Sequence, residues 1–206
     1  MAASPRGKFI TLEGVDGAGK STHVTWIAEL LRKAGREVVV SREPGGTPLA
    51  EKLRSRVLSE AMDPVAETRL MFEARADHVE KVIVPALARG AWVVCDRFTD
   101  STIAYQGAGK GVNRALIDEL AGKVHPGLKP DLTLVFDASY QVSSKRLAST
   151  GRKLDKFESE DRAFFDRVRA AYRKLAEAEP QRVRLVDGTR PPEQVKADVE
   201  KLVASI

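Results

Sequence analysis

Five short apolar runs punctuate the chain: Phe9-Ile10-Thr11-Leu12, Val38-Val39-Val40, Trp92-Val93-Val94-Cys95, Leu132-Thr133-Leu134-Val135-Phe136 and Val183-Arg184-Leu185-Val186. The first four are almost continuously apolar, the pattern of strands buried on both faces. The fifth is broken by Arg184, which predicts an edge strand. Between them the spacing lengthens to the helical period. Val24, Ile27, Ala28 and Leu31 share one face of a helix that Gly35 stops. Leu49, Leu53 and Val57 define a second, and Leu70, Ala74, His78 and Val82 a third, which Pro85 is expected to kink or end. Leu116, Leu120 and Val124 mark another. Phe165, Val168, Tyr172 and Leu175 follow on a long helix, and Val195, Val199, Leu202 and Ile206 on the last. Strands alternating with helical crossovers predict an α/β fold, a parallel five-stranded sheet with helices on both faces. Ligands then gather at the carboxyl ends of the strands.

Composition narrows the class. The 206 residues are 43% hydrophobic and 31% charged, which excludes a disordered or fibrous chain. The single cysteine, Cys95, rules out an intrachain disulfide and a cysteine-rich zinc site. No repeat interrupts residues 1–206, which are read as one domain. Met1–Lys8 has no apolar core of a signal peptide, and no run reaches the roughly 20 residues of a membrane span. The expectation is a soluble cytoplasmic protein with no membrane partner. A net charge of +5 suits an anionic ligand. Lys and Arg are interleaved with Asp and Glu through residues 152–174, so no uniform basic stripe predicts a nucleic-acid partner.

The sharpest signal is Gly14-Val15-Asp16-Gly17-Ala18-Gly19-Lys20-Ser21, a G-x-x-x-x-G-K-[ST] match between the first strand and first helix. Its glycines let successive N–H groups face phosphate oxygens, and the helix N-terminus adds positive potential. Lys20 can reach the β- and γ-phosphates, and the Ser21 hydroxyl can ligate Mg²⁺. The third strand ends in Asp96, placed to act on the metal or its water shell. The G-x-G-x-x-G dinucleotide order is missing, and so is the Asn-Lys-x-Asp motif of a GTPase.

A second group of residues lies at neighbouring strand ends: Arg42-Glu43-Pro44-Gly45-Gly46-Thr47, Arg54, Asp96-Arg97-Phe98, Ser101-Thr102 and Tyr105-Gln106-Gly107. Phe72 and Arg75, one helical turn apart, can present a ring and a guanidinium to one cleft, which suits a nucleobase. Arg54 and Arg97 can each fork onto a phosphate. Taken singly, Phe72 reads as core, Arg54 and Arg75 as solvated helix faces, and His78 as structural. Two highly charged phosphates brought to bonding distance need converging cations: Lys20, Mg²⁺, Arg97 and one more from a mobile element. Another nucleotide or nucleoside kinase of this fold, and a P-loop switch or nucleic-acid-binding ATPase, are the competing readings.

Taken together, Glu13-Gly14-Val15-Asp16-Gly17-Ala18-Gly19-Lys20-Ser21-Thr22, Arg42-Glu43-Pro44-Gly45-Gly46-Thr47, Leu70-Met71-Phe72-Glu73-Ala74-Arg75-Ala76, Asp96-Arg97-Phe98, Tyr105-Gln106-Gly107 and Pro130-Asp131-Leu132-Thr133 give the chain a resemblance to the bacterial thymidylate kinases over essentially its whole length. The resemblance implies a P-loop nucleoside monophosphate kinase fold with a short lid. It implies transfer of the ATP γ-phosphoryl to dTMP with Mg²⁺, for dTTP synthesis. It places residues 14–22, Gly14 to Thr22 with Val15 and Ala18, on ATP. It sets Phe72 on thymine, Arg75 at its O4 edge, and Ser101, Thr102 and Gln106 near N3. Tyr105 then crowds a 2′-OH, Arg54 and Arg97 hold the dTMP phosphate, and Asp16 serves the 3′-OH or the Mg²⁺ water. Glu43 and Pro44 border the same site, with Glu43 assisting Asp16. Gly17 stands where some relatives carry a catalytic arginine. The lid, 145–158, is then expected to supply one: Arg152, with Arg146 near the adenine or phosphates beside Asp187-Gly188-Thr189-Arg190. Lys156 stands where arginine is common, giving a point charge in place of a fork. The resemblance also implies a homodimer packed through the helix of Leu70 to Val82.

Overall fold

The computed structural model describes residues 6–151 and 153–206. Five parallel strands run in the order β2-β3-β1-β4-β5. They are β1 (Phe9–Gly14), β2 (Val38–Arg42), β3 (Trp92–Asp96), β4 (Leu132–Asp137) and β5 (Val183–Asp187). Thr11 of β1 pairs with Cys95 on one side and Thr133 on the other. The chain leaves β1 for one edge and returns later to its other side. Its carboxyl end is therefore a topological switch point, where a crevice opens. β1 is buried at all six positions. Alternation sends Phe9, Val93 and Cys95 to one face and Ile10, Leu12 and Val94 to the other, into separate cores.

β5 lies at an edge, as Arg184 predicts. β2 lies at the other edge and is only partly buried, with Val40 42% exposed. This corrects the reading of Val38-Val39-Val40 as buried on both faces. Apolar composition does not reveal an edge, because edge position is a property of topology.

Among the helices, α1 (Lys20–Lys33) buries Val24, Ile27, Ala28 and Leu31, and Gly35 follows its end at φ 78°. α2 (Pro48–Ser59) begins with Thr47 accepting from Ala50 N, and buries Ala50, Leu53 and Val57. Leu49 faces outward, so Ala50 takes the place expected of it. α3 (Pro64–His78) is capped by Asp63, whose side chain accepts from Val65 N and Ala66 N. Pro85 does not end this helix. A π turn at Val79–Ile83 widens the backbone, and α4 (Val84–Ala88) carries Pro85 in its first turn. The widened turn accommodates the missing N–H and the ring. α5 (Thr99–Thr102) runs into a second π segment, Ile103–Gly109, and α6 (Arg114–Val124) follows.

α7 (Tyr140–Ala148), capped by Ser139, has no counterpart in the sequence reading and takes up the first residues expected of the lid. α8 (Arg162–Ala178) buries Phe164, Val168, Tyr172 and Leu175. Phe164 leads the stripe where Phe165 was expected, and Phe165 meets the edge of Tyr140 at 5.3 Å between centroids. α9 (Pro192–Val203) buries Val195, Val199 and Val203, with Leu202 and Ile206 partly buried beside them.

Candidate active site

The loop between β1 and α1 turns on three glycines with positive φ: Gly14, Gly17 and Gly19. A Cβ on Gly14 would lie 2.3 Å from Phe136 O, and one on Gly17 2.4 Å from Ser143 O. Gly19 caps α1 without a side chain, so the first amides of α1 are left for a ligand. Lys20 Nζ donates to Gly14 O and Val15 O, each at 3.0 Å. Burial and the Arg97 charge lower the ammonium from its usual value, against Asp16, Asp96 and Glu13. An open cleft of about 660 Å³ is lined by Gly17, Gly19, Lys20, Ser21, Thr22, Arg54, Asp96, Arg97, Arg146 and Asp155, among others. Asp96 Oδ1 is buried there without a hydrogen-bond partner among the described residues. With the Ser21 hydroxyl on the same cleft, it offers the hard oxygen donors that suit Mg²⁺ beside phosphate.

Arg97 stands at the centre. It follows β3 at φ 71°, a left-handed backbone that non-glycine residues rarely adopt. This turn aims its guanidinium back over the loop. Nη1 donates to Gly14 O at 3.0 Å and Ser101 Oγ at 3.1 Å, and Nη2 to Asp16 at 2.5 Å and the Tyr105 hydroxyl at 3.0 Å. Tyr105 in turn donates to Asp16 at 2.7 Å. Burial alone would raise Asp16, but Arg97 and Lys20 outweigh it and pull the carboxyl down to about 2. It is therefore a carboxylate at any working pH.

A second, narrower cavity adjoins the first. Asp16, Glu43, Pro44, Arg54, Met71, Arg97, Ser101, Tyr105, Gln106, Asp155 and Phe157 line it, with Leu58. Arg54 Nη1 donates to Pro44 O at 2.8 Å. Both Glu43 oxygens are engaged, one by Arg75 Nε at 2.6 Å and the other by His78 Nδ1 at 2.9 Å. Glu43 is thus held by Arg75 and His78 while lining the same cavity as Asp16. His78 joins this polar cluster and also meets Ser41 Oγ at 2.6 Å.

Arg75 Nη2 donates to Thr102 Oγ1 at 3.1 Å. The Arg75 guanidinium lies over the Phe72 ring, 4.5 Å from its centroid. Phe72 is 1% exposed and packs with Val112 and Ile117, and its neighbour Met71, not Phe72, lines the narrow cavity. Among the buried polar atoms without a partner among the described residues are Arg75 Nη1, a donor, and Gln106 Oε1, an acceptor.

On the lid side, Arg146 Nη2 donates to Gly188 O at 2.8 Å, and Nη1 lies 3.3 Å from Ala18 O. It therefore ties the phosphate loop to the segment after β5. Arg152 lies outside the described residues. Lys156 reaches Glu60 O at 2.9 Å and the Glu67 carboxylate at 2.7 Å, away from the phosphate loop.

Several residues of the site carry no role predicted from the sequence, although Glu13 opens the phosphate-loop motif and Asp155 lies in the expected lid. Glu13 is fully buried at the end of β1 and accepts from Phe98 N at 2.8 Å, Ser101 Oγ at 2.5 Å and the Tyr172 hydroxyl at 2.8 Å. Burial and nearby Asp100 push it up to about 7. Burial raises Asp155, with Glu158 and Asp16 adding, although Phe157 N and Glu158 N donate to it. Glu67 is buried among Gln106, Lys110 and Lys156. The spacing does hold a signal for it: Glu67, Met71, Arg75 and His78 fall on one helical face.

Comparison with known proteins decides the family. Residues 12–199 match the family model described as thymidylate kinase. The chain belongs to the thymidylate kinase family. A thymidylate kinase of Bordetella pertussis is 53% identical over 203 residues, covering 98% of this chain and 97% of the relative. One of Methylobacillus flagellatus is 56% identical over 194 residues, 94% of this chain and 95% of its own. The crystal structure of thymidylate kinase from Ehrlichia chaffeensis aligns with a TM-score of 0.79 at 34% identity, covering 97% of this chain and 99% of that one. The matched span contains every site residue named above. For a thymidylate kinase the two adjoining cavities are chemically apt, since two nucleotides must meet phosphate to phosphate. Family membership displaces the reading of a P-loop switch or nucleic-acid-binding ATPase.

Proposed function

We propose that the chain transfers the γ-phosphoryl group of ATP to dTMP, giving dTDP and ADP, on the way to dTTP. One observation carries the reading of the site. Asp16, Arg54, Arg97 and Asp155 line both cavities, so two guanidiniums stand where the two ligands meet. The phosphate-loop amides and Lys20 take the β- and γ-phosphates of ATP, with Val15, Ala18 and Thr22 completing the loop. Ser21 and Asp96 hold Mg²⁺ and its waters, and the bound metal spreads the charge of the phosphates. Arg54 and Arg97 hold the dTMP phosphate. Its oxygen is already ionised near neutral pH and needs no base. That oxygen attacks the γ-phosphorus in line, the bond to the β–γ bridging oxygen breaks, and ADP departs with the electron pair. Arg97, Lys20 and a lid cation stabilise the charge. Arg152 is that lid cation, and Arg146 borders the adenine and phosphates.

Base choice follows from the two unpartnered atoms. Arg75 Nη1 is a donor for thymine O4 and Gln106 Oε1 an acceptor for N3–H, with Ser101 and Thr102 beside them. Cytosine presents the reverse order. Phe72 lies against the Arg75 guanidinium and holds it in place. Tyr105, fixed by Asp16 and Arg97, crowds a ribose 2′-OH. Asp16 takes the 3′-OH, and Glu43 acts by orienting Arg75. Residues 1–206 act as one catalytic domain in the cytoplasm, as a homodimer. Support for the dimer face is the exposure of Val65 and Val84 on α3 and α4. No helix among the described residues is long and apolar enough to cross a membrane.

The test is ADP release with ATP and Mg²⁺ against dTMP, dUMP, UMP, dCMP, AMP, thymidine and no acceptor. Release that depends strongly on dTMP and falls on omission of Mg²⁺ is expected. Turnover of thymidine without dTMP would overturn Arg54 and Arg97 as phosphate ligands.

A further inference from the structure

Glu67 holds an unusual position for a carboxylate. It lies near the start of α3, fully buried, 39 residues from Gln106 in sequence. One oxygen, Oε1, accepts from Gln106 Nε2 at 3.0 Å. The other, Oε2, takes Lys110 Nζ at 2.9 Å and Lys156 Nζ at 2.7 Å. An ionised carboxylate accepts and cannot donate. The Gln106 amide must therefore turn its NH₂ toward Glu67, and its carbonyl oxygen is left facing the other way. That oxygen is the buried acceptor without a partner among the described residues, and Gln106 lines the narrow cavity. Burial alone would raise Glu67, but hydrogen bonds from Lys156, Gln106 and Lys110 outweigh it and keep it ionised.

We infer that Glu67 is a specificity-determining positioning residue: it fixes which end of the Gln106 amide meets the acceptor base, and the lid lysine Lys156 helps hold it in the required state. The inference rests on the base-reading role proposed for Gln106. Its direction is fixed by charge. With Glu67 ionised, the cavity presents an oxygen and selects a base with N–H at position 3. Turning Gln106 over would set carbonyl against carboxylate and forfeit a charge-assisted hydrogen bond.

Glu67→Gln inverts this logic. Two ammonium groups face the Oε2 side, so the new amide points its oxygen at them and its NH₂ at Gln106. Gln106 must then turn its own oxygen back to accept, which leaves its NH₂ toward the base. The matched probes are dTMP and 5-methyl-dCMP, which have the same shape and opposite base edges. Dissociation constants are measured by calorimetry on the full chain. In E67Q dTMP weakens at least about tenfold and 5-methyl-dCMP does not, so their ratio shifts by about tenfold or more. In a Gln106→Ala background E67Q leaves the ratio within about twofold. The variant E67Q/K110M/K156M, in which the cluster carries no charge, leaves no unpaired lysine if E67Q alone does not fold. It shifts the ratio in the same direction, because Gln106 is no longer pinned. Equal weakening of both ligands, or the same shift without Gln106, would mean that Glu67 only supports the fold and would overturn the inference. If the wild-type protein itself fails to prefer dTMP over 5-methyl-dCMP, the base reading fails first, and the two failures are thereby distinguished.

Discussion

Raising the pH should destabilise this protein through Glu13. Its carboxyl group is enclosed at the end of β1, with all three hydrogen-bond donors supplied by the site: Phe98 N, Ser101 and Tyr172. Burial is the dominant influence and pushes it up, Asp100 adds to this, and Ser101, Arg97 and Tyr172 only partly offset it. The result lies at about 7, against 4.5 for the free side chain. The folded state therefore binds the proton more tightly than the unfolded chain. Between those two values the folded chain carries more protons, so stability falls as pH rises through that window. At roughly 1.4 kcal/mol per pH unit, the full loss is about 3 kcal/mol. For a chain of this length that is about 6–12 °C in Tm.

Glu13→Gln keeps the shape and stays neutral at every pH. Its amide oxygen can still accept from Phe98 N, and its NH₂ can donate to the Ser101 or Tyr172 oxygen. Urea unfolding of both proteins at pH 4.5, 6 and 8 isolates the effect, since titrating groups remote from Glu13 cancel in the difference. The variant should match the wild type at pH 4.5 and exceed it by about 3 kcal/mol at pH 8. A difference that does not change with pH would refute the reasoning, because it would mean that Glu13 titrates alike in both states.

Two further predictions concern the phosphate loop. Lys20→Met should lower kcat for ADP release by about a hundredfold or more while the circular dichroism spectrum and Tm hold, since Lys20 gives up two backbone contacts and a long ion pair with Asp16, which Arg97 still holds. Gly14→Ala places a methyl 2.3 Å from Phe136 O at a positive φ. It should cost more than about 3 kcal/mol in urea unfolding.

The parts of this molecule that sequence reasoning reaches are those whose signal is local. The phosphate loop is contiguous, and its glycines are needed by turns within a few residues of each other. The strands announce themselves by apolar runs, and Arg184 gives away the β5 edge. β2 escapes because Val38-Val39-Val40 would look the same at the centre of a sheet. α7 escapes because Tyr140–Ala148 has a polar, serine-rich surface and buries only Ser143. The continuation through Pro85 escapes because it depends on a π turn, which has no composition of its own. Among site residues, Arg97 and Tyr105 are legible as types, but the left-handed turn that aims Arg97 at Gly14 O is not. Glu13 had a readable clue. Phe9, Thr11 and Glu13 alternate on one face of a fully buried strand, so period two alone places a carboxylate in the interior.

The acidic residues of the site explain how the basic ones can be there at all. A site for two phosphorylated ligands must hold guanidiniums in a low-dielectric cleft, and an isolated buried charge is strongly unfavourable. Here Arg97 is paired with Asp16 and Arg75 with Glu43, and Glu67 holds two lysines. The partners do more than neutralise, because each takes only some of the donors. Asp16 and Glu43 occupy one nitrogen apiece, Thr102 takes a second on Arg75, and Arg75 Nη1 is left over. Glu67 likewise takes the NH₂ of Gln106 and leaves its oxygen. The carboxylates thus decide which atoms remain to be satisfied by a ligand. That leftover pattern, one donor and one acceptor, is what the proposed reading assigns to the O4 and N3–H edge of thymine. On the proposed reading, base specificity is written as much in Glu43 and Glu67, which orient Arg75 and Gln106, as in the residues that meet the base.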